Sequence, residues 1–294
     1  MSESSQTLRH KIDGAVELAS VVRTMKALAA ASLGQYERAA HSLATYYHTV
    51  VLGLVACLRQ PGLSMPTADN HAPASAIGAI VFGSDQGLVG QFNDVLADFV
   101  LNSLAALPGE KQVWAVGERM HGRLTDAGLP PMGLFSVPHS VAAITPLVGQ
   151  LLIDSEAQRE RAGISEVHVF HHQPDSAALY HPVSQRLLPL DSVWRGELIA
   201  HPWPSNNLPE VMGDAAATLH ALVREYLFVS LFKACAESLA AENACRLAAM
   251  QRAEKNIDEL LEDLNRTYHR QRQAAIDEEL FDVIAGYESI NTAR

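Results

Sequence analysis

The sequence predicts an α/β domain inserted into a long antiparallel two-helix coiled coil, on three observations. Seventy-two consecutive residues, 214–285, contain neither glycine nor proline. The first sixty residues contain no proline and are rich in alanine. The region between them has short apolar runs set among prolines and glycines.

Residues 1–60 are expected to form the first helix, ending near Pro61, with a seam at Leu18, Val22, Met25, Leu28, Ala29 and Ser32. Gly14, Gly34 and Gly53 weaken it by up to about 1 kcal/mol each, while small residues at a seam let two backbones approach closely. The stretch PGLSMPTADNHAP (61–73) reads as a linker into the inserted domain, residues 72–207. There IGAIVFG, KQVWAVG and VHVFHH have the look of buried strands, RLLPLD is a fourth apolar run, and helical crossovers lie around DVLADFVLNSLAAL and ITPLVGQLLIDSEAQRERAG. Alternation of this kind predicts a small Rossmann-like α/β sheet.

HPWPSNNLPE (201–210) leaves the domain, and residues 210–294 form the second helix. Apolar residues recur there at threes and fours, through Leu222, Tyr226, Val229, Ile257, Leu260, Leu264, Tyr268 and Ala275, as in a coiled-coil seam. At 1.5 Å per residue the unbroken stretch would run on the order of 100 Å, longer than the first helix can cover.

Composition excludes several classes. The formal charge of −11 argues against nucleic acid as the main partner, because DNA binding rests on neutralising phosphates. The charge is uneven: residues 1–60 carry six Lys/Arg against four Asp/Glu, residues 210–294 nine against fifteen. Apolar runs such as residues 49–58 stop short of the roughly 18 residues of a membrane span, so no transmembrane helix is expected. The start MSESSQTLRHKID resembles neither a signal nor a transit peptide, and three cysteines without CxxC spacing fit a reducing cytoplasm.

No G-x-S-x-G, H-E-x-x-H or G-x-x-x-x-G-K-[ST] motif occurs. His168, His171, His172 and His181 are the nearest approach to a metal site, but His171 should face away from His168 and His172 on a strand. Asp277, Glu278 and Glu279 spread over several helical faces and read as a solvated or partner-facing surface. The loop VFGSDQGLVGQFN (81–93) stands where Gly-rich loops hold phosphates, yet it has no lysine and no G-x-G-x-x-G spacing. It is either a nucleotide loop or a tight connection in which Gly83, Gly87 and Gly90 supply unusual backbone angles and close packing.

SDQGLVGQFN (84–93) resembles the S-D-R-G-L-C-G-x-F-N signature of the gamma subunit of F-type rotary ATP synthases. Residues 241–280 are similar to that family's S-E-x-A-A-R-M-x-A-M-x-x-A-x-x-N through Y-N-x-x-R-Q-A-x-I-T-x-E-L, retaining Glu242, Arg246, Met250, Ala253, Asn256, Tyr268, Arg272, Gln273, Ala274, Ile276, Glu279 and Leu280. RHKI (9–12), RTMKALAAAS (23–32) and VSQRLLPL (183–190) resemble further family segments. Asp277, Gln86 and Val89 depart from the family's Thr, Arg and Cys, and ELASVV (17–22) replaces a polar stretch. These departures mark a divergent member and leave open an alternate, ion-specific branch such as the N-type ATPases.

The resemblance implies a non-catalytic central shaft with no cofactor or metal. It would turn against the alpha and beta subunits, with the epsilon subunit and the membrane c-ring as further partners, at the cytoplasmic face of the bacterial inner membrane. It implies a structural role for the loop bearing Ser84, Asp85, Gly87, Gly90 and Asn93, and partner contacts at Arg9, Arg23, Met25, Lys26, Arg272, Gln273, Glu279, Phe281 and Ile284. Phe281, Ile284, Tyr287 and Ile290 are expected to form an apolar stripe that enters a sleeve of other subunits. The alternatives are an α/β nucleotide-binding enzyme with a helical docking hairpin and a static coiled-coil scaffold.

Overall fold

The computed structural model describes residues 5–60, 76–175, 179–207 and 210–292, side chains at 160 and 286–292 excepted. The elements run α1 (Ser5–Leu58), β1 (Ala76–Phe82), α2 (Phe92–Ala105), β2 (Glu110–Val116), α3 (Glu118–Asp126), β3 (Gly133–Phe135), α4 (Ile144–Ala162), β4 (Ile164–Pro174), β5 (Tyr180–Leu188), α5 (Ser192–Ala200) and α6 (Ala215–Thr292). They form two compact units, residues 30–246 and residues 1–29 with 247–294. The expected linker at 61–73 lies outside the described residues.

In the larger unit the strand order is β3-β2-β1-β4-β5, parallel except for the antiparallel β4–β5 pair. Strand residues alternate between two cores. Ala76, Ile80, Phe82, Trp114 and Val116 face α4 and the α6 residues Leu231 to Ala240. Ile77, Ala79, Val81, Val113 and Ala115 face α2 and α3 through Leu96, Val100, Leu104, Met120 and Leu124. Burial on both faces explains why β1 is a continuous apolar run rather than an alternating one. α3, the three-residue β3 and α5 were not legible as elements in the sequence.

Also in this unit, α1 and α6 pack antiparallel. Tyr46 donates to Glu225 at 2.8 Å, the Tyr47 and Tyr226 rings lie 5.8 Å apart, and a Cβ on Gly53 would meet Leu222 at 3.1 Å. Close approach at a glycine is thus real at Gly53, whereas Gly14 and Gly34 have open space around them. Each long helix contains an 18-residue window of mean hydropathy 1.2, so by length and composition both reach what a membrane span requires. That differs from the run-by-run expectation because a window tolerates single polar residues that end a run. In the fold, apolar stretches of the two helices pack on each other, with Val50, Leu54, Val55 and Leu58 against Leu219, Tyr226 and the α5 residues Trp194 and Leu198.

In the smaller unit, Arg23 lies 3.2 Å from Glu254 and 3.6 Å from Asp258, and Lys26 reaches Glu254. Rising numbers on α1 meet falling numbers on α6, again antiparallel. The seam is the expected one only in part: Val22, Met25, Ile257, Leu264 and Tyr268 are half-buried and Ala29 is buried, but the interface is shifted toward small residues. Leu8, Ala15, Ala19 and Ala29 are buried, whereas Leu18 and Leu28 are 60% and 64% exposed. Leu260 is also exposed, with Leu261 half-buried in its place. Leu18 precedes Ala19 by one residue, about 100° round the helix. The alanine face allows the closer approach, so it takes the interface although the leucine face is more apolar.

Candidate functional site

The loop after β1 is built for packing. Ser84 N–H donates to Asn93 Oδ1 at 3.1 Å, Asn93 Nδ2 donates to Ser84 Oγ at 2.8 Å, and Ser84 Oγ donates to the Gln86 carbonyl at 3.0 Å. Asp85 accepts from two backbone amides, Glu118 N and Val137 N, each at 2.9 Å. Glu118 opens α3, so a carboxylate of this chain already sits where a bound anion would gain from the helix amides. Arg119 N–H is likewise taken, by the Ser84 carbonyl at 3.0 Å.

Glycine is needed here in two places. A Cβ on Gly83 would lie 2.3 Å from that of Met120, and Gly117 has φ 107° with the Ser84 backbone 2.6 Å from its missing Cβ. Gly90 supplies a left-handed angle, φ 63°, but at the next such position it is Leu88 (φ 64°) and not Gly87.

In open α/β sheets ligands bind beyond the carboxyl ends of the strands, where the strand order reverses. Here that point lies between β1 and β4, and α6 occupies it. Ser238 Oγ donates to the carbonyl of Phe82, the last residue of β1, at 2.9 Å. Next to it the His171 ring of β4 donates to Glu237 at 2.9 Å. Ala241 and Cys245 pack on Val89 and Phe92 from the loop side. Burial alone would raise the Glu237 carboxyl, but the His171 hydrogen bond and nearby Lys233 outweigh it and hold the group below its usual range. Glu242 is buried beside Arg246, whose Nη2 donates to it at 2.6 Å, and burial pushes this carboxyl up. Tyr36 of α1 donates to the Pro138 carbonyl at 3.2 Å, one residue beyond the amide that Asp85 holds.

The four histidines do not converge. His168 pairs with Glu166, His171 with Glu237, and His181 lies 3.5 Å from Asp175. Among the described residues no three His, Cys, Asp or Glu side chains are placed to hold a metal. His172 is fully buried between Phe92 and Tyr180, its ring centroid 4.4 Å from each, and its Nε2–H donates to the Phe92 carbonyl at 2.8 Å. Burial drives its pKa from 6.5 down to about 4, against the opposing pull of its hydrogen bonding to the backbone of Phe92 and His181. The unfolded chain therefore binds this proton first. Stability from His172 is intact above about pH 6.5 and falls as the pH drops through 4, by roughly 3 kcal/mol in all. Urea titrations of His172→Gln and the parent are expected to diverge in slope over that window, and parallel curves would remove His172 as the cause.

In the smaller unit Arg9 is exposed, Met25 and Lys26 are half-buried, and Arg23 is 59% exposed even with its carboxylate partners. The hydrogen bonds from Lys26 and Arg23 hold Glu254 below its usual range. Arg272, Gln273 and Glu279 are exposed on α6, and Ile276, Leu280, Phe281, Val283 and Ile284 are exposed apolar residues. Continuing the antiparallel pairing residue by residue from Lys26 and Glu254 leaves no described part of α1 opposite α6 beyond about residue 275. The side chains of Tyr287 and Ile290 lie outside the described residues.

A family model described as ATP synthase matches residues 4–290. The "ATP synthase gamma chain" of Frankia casuarinae is 26% identical over 298 residues, covering 99% of both chains. This chain belongs to the ATP synthase gamma family. The gamma chain of Salinibacter ruber is 28% identical over 96% of this chain and 97% of its own. The gamma fold recurs in the rotor of Euglena gracilis mitochondrial ATP synthase, with TM-score 0.66 at 14% identity over 92% of this chain and 98% of that one. It recurs again in the central stalk of the Tetrahymena thermophila enzyme, with TM-score 0.55 at 16% identity over 79% and 99%. The loop whose sequence resembles the gamma signature is the segment that Asp85 pins across α3 and residue 137. Ser238, Glu237 and Tyr36, which complete the junction, carry no spacing that would single them out before the fold is known.

Proposed function

We propose that this chain is the central rotor shaft of an F-type ATP synthase or ATPase, coupling ion flow through a membrane rotor to ATP synthesis or hydrolysis on other subunits. The observation that carries the reading is a gamma-family helix pair whose second member outruns the first, presenting exposed Phe281 and Ile284 on the unpaired end. A helix with an unpaired apolar stripe calls for a binding partner. The alpha and beta subunits would supply it around the free end, with the epsilon subunit and c-ring as further partners. The chain itself is non-catalytic and is held peripherally at the cytoplasmic face of a bacterial inner membrane.

Residues 1–60 and 210–294 would serve as the shaft and residues 72–207 as the inserted domain. Arg9, Arg23, Met25 and Lys26 would form one contact surface, and Arg272, Gln273, Glu279, Phe281 and Ile284 the other. Glu254 and Asp258 share the charge of Arg23 and Lys26, so their outward pull on acidic loops is weakened and Arg272 becomes the stronger cationic contact. An orientation of the shaft favours one conformation of a catalytic subunit only where its contacts differ between conformations.

The test is Arg272→Ala combined with Gln273→Ala in the assembled complex. Both side chains are exposed, so the isolated chain should fold normally while ATP-driven rotation is impaired. Unchanged assembly and rotation would remove these two residues from the contact surface. The nucleotide-binding alternative is not favoured, because α6 fills the crevice such an enzyme would use.

A further inference from the structure

We propose that His171 of β4 and the α6 residues Glu237 and Ser238 are positioning residues that key the sheet to the shaft helix at two points and so carry torque between them. Torque rests on the rotor reading above; the two-point attachment does not. Glu237 and Ser238 are consecutive on α6, about 100° apart round the helix, and they reach different strands. Glu237 accepts from the His171 ring of β4 at 2.9 Å, and Ser238 donates to the Phe82 carbonyl of β1 at 2.9 Å. The two anchors are neighbours on the sheet, because β1 and β4 pair in parallel with Val81 opposite Phe170. Water has little access to either bond: Phe82 is 1%, His171 4% and Ser238 3% exposed.

Around these bonds α6 offers the domain small buried side chains, Ala236, Ala240 and Ala241. Apolar burial is non-directional and sets no angle between helix and sheet. A hydrogen bond is directional and weakens steeply once bent. One such bond still lets the helix pivot about it; a second, to a separate fixed point, takes that freedom away. The anchors are fixed because β1 is paired along its length with β2 on one side and β4 on the other. Of the two bonds the one from His171 is the stronger, since its acceptor is a carboxylate. Gln173, two residues along β4, adds a weaker hydrogen bond to the same group. Lys233, 3.8 Å from Glu237, lies on α6 itself and ties nothing to the sheet through this pair.

The experiment uses the whole complex carrying His171→Ala, His171→Gln, Ser238→Ala, or His171→Ala together with Ser238→Ala, with ATP hydrolysis and ATP-driven ion pumping read on one preparation. His171→Ala and Ser238→Ala are each expected to keep hydrolysis within about twofold of the parent while ions pumped per ATP fall by about threefold or more. His171→Gln, whose amide still offers a donor, should restore most of the ratio. Because losing either point frees the pivot, the double variant should be little worse than the more impaired single one. An unchanged ratio in His171→Ala, an equal fall of both activities in every variant, or a double loss equal to the product of the single losses would overturn the assignment. Hydrogen exchange on the isolated chain probes the attachment without the rotor reading. His171→Ala should speed exchange in residues 169–173 by about tenfold while exchange in β2 is unchanged, and parent-like exchange there would also overturn it. A parent complex that pumps nothing, with the exchange result as expected, would count against the rotor reading alone.

Discussion

Replacing Asp85 by Ala should destabilise the α/β domain by about 3 kcal/mol, measured by urea denaturation of the isolated chain. The estimate follows from two backbone amides, Glu118 N and Val137 N, each 2.9 Å from a carboxylate oxygen and each left without its acceptor. Hydrogen bonds to a charged group contribute roughly 1.5–3 kcal/mol apiece, and partial exposure places both at the low end. Asp85→Asn keeps one acceptor oxygen and should recover about half of the loss. ATP binding separates this bracing role from a catalytic one. Parent and variant are both expected to show no saturable binding, and binding by the parent that vanished in Asp85→Ala would restore the enzyme reading.

The other large effect belongs to the unpaired end of α6. Phe281→Ser combined with Ile284→Ser should leave the stability of the free chain nearly unchanged, because both residues are exposed there. Assembly should suffer. Burying the two side chains in an apolar sleeve is worth about 4 kcal/mol, so the pair of substitutions should weaken association by about a thousandfold. Backbone exchange over residues 281–290 should be rapid in the free chain and strongly protected in the complex. Equal protection in both states would mean that the segment has no sleeve.

The broad architecture was legible because it is written in period and punctuation. The absence of glycine and proline over residues 214–285 marks α6, and the continuous run at Ala76–Phe82 marks a strand covered on both faces. Two similar seams on α1 could not be separated, since periodicity shows that Leu18 and Ala19 lie on adjacent faces without showing which face the partner helix takes. β3 is three residues long and α3 nine, too short for any period to register. The signature loop could be placed between a strand and a helix, but its chemistry could not. The donors that answer Asp85 are backbone amides 33 and 52 residues away, and backbone groups leave no mark in a sequence.

The pairing of the first helix with the last element has a consequence for how the chain is made. Ser238 and Phe82 are separated by 156 residues, Tyr46 and Glu225 by 179, and Lys26 and Glu254 by 228. On a ribosome, α1 emerges first and waits for nearly the whole chain before its partner exists. The carboxyl ends of β1 and β4 stay uncovered until α6 follows. Contacts this distant are slow to form and leave apolar surface exposed meanwhile. The alanine-rich seam eases that wait. Ala15, Ala19 and Ala29 give a nascent helix a pairing face with little grease on it, so a surface that is buried in the finished molecule offers little that is adhesive during synthesis.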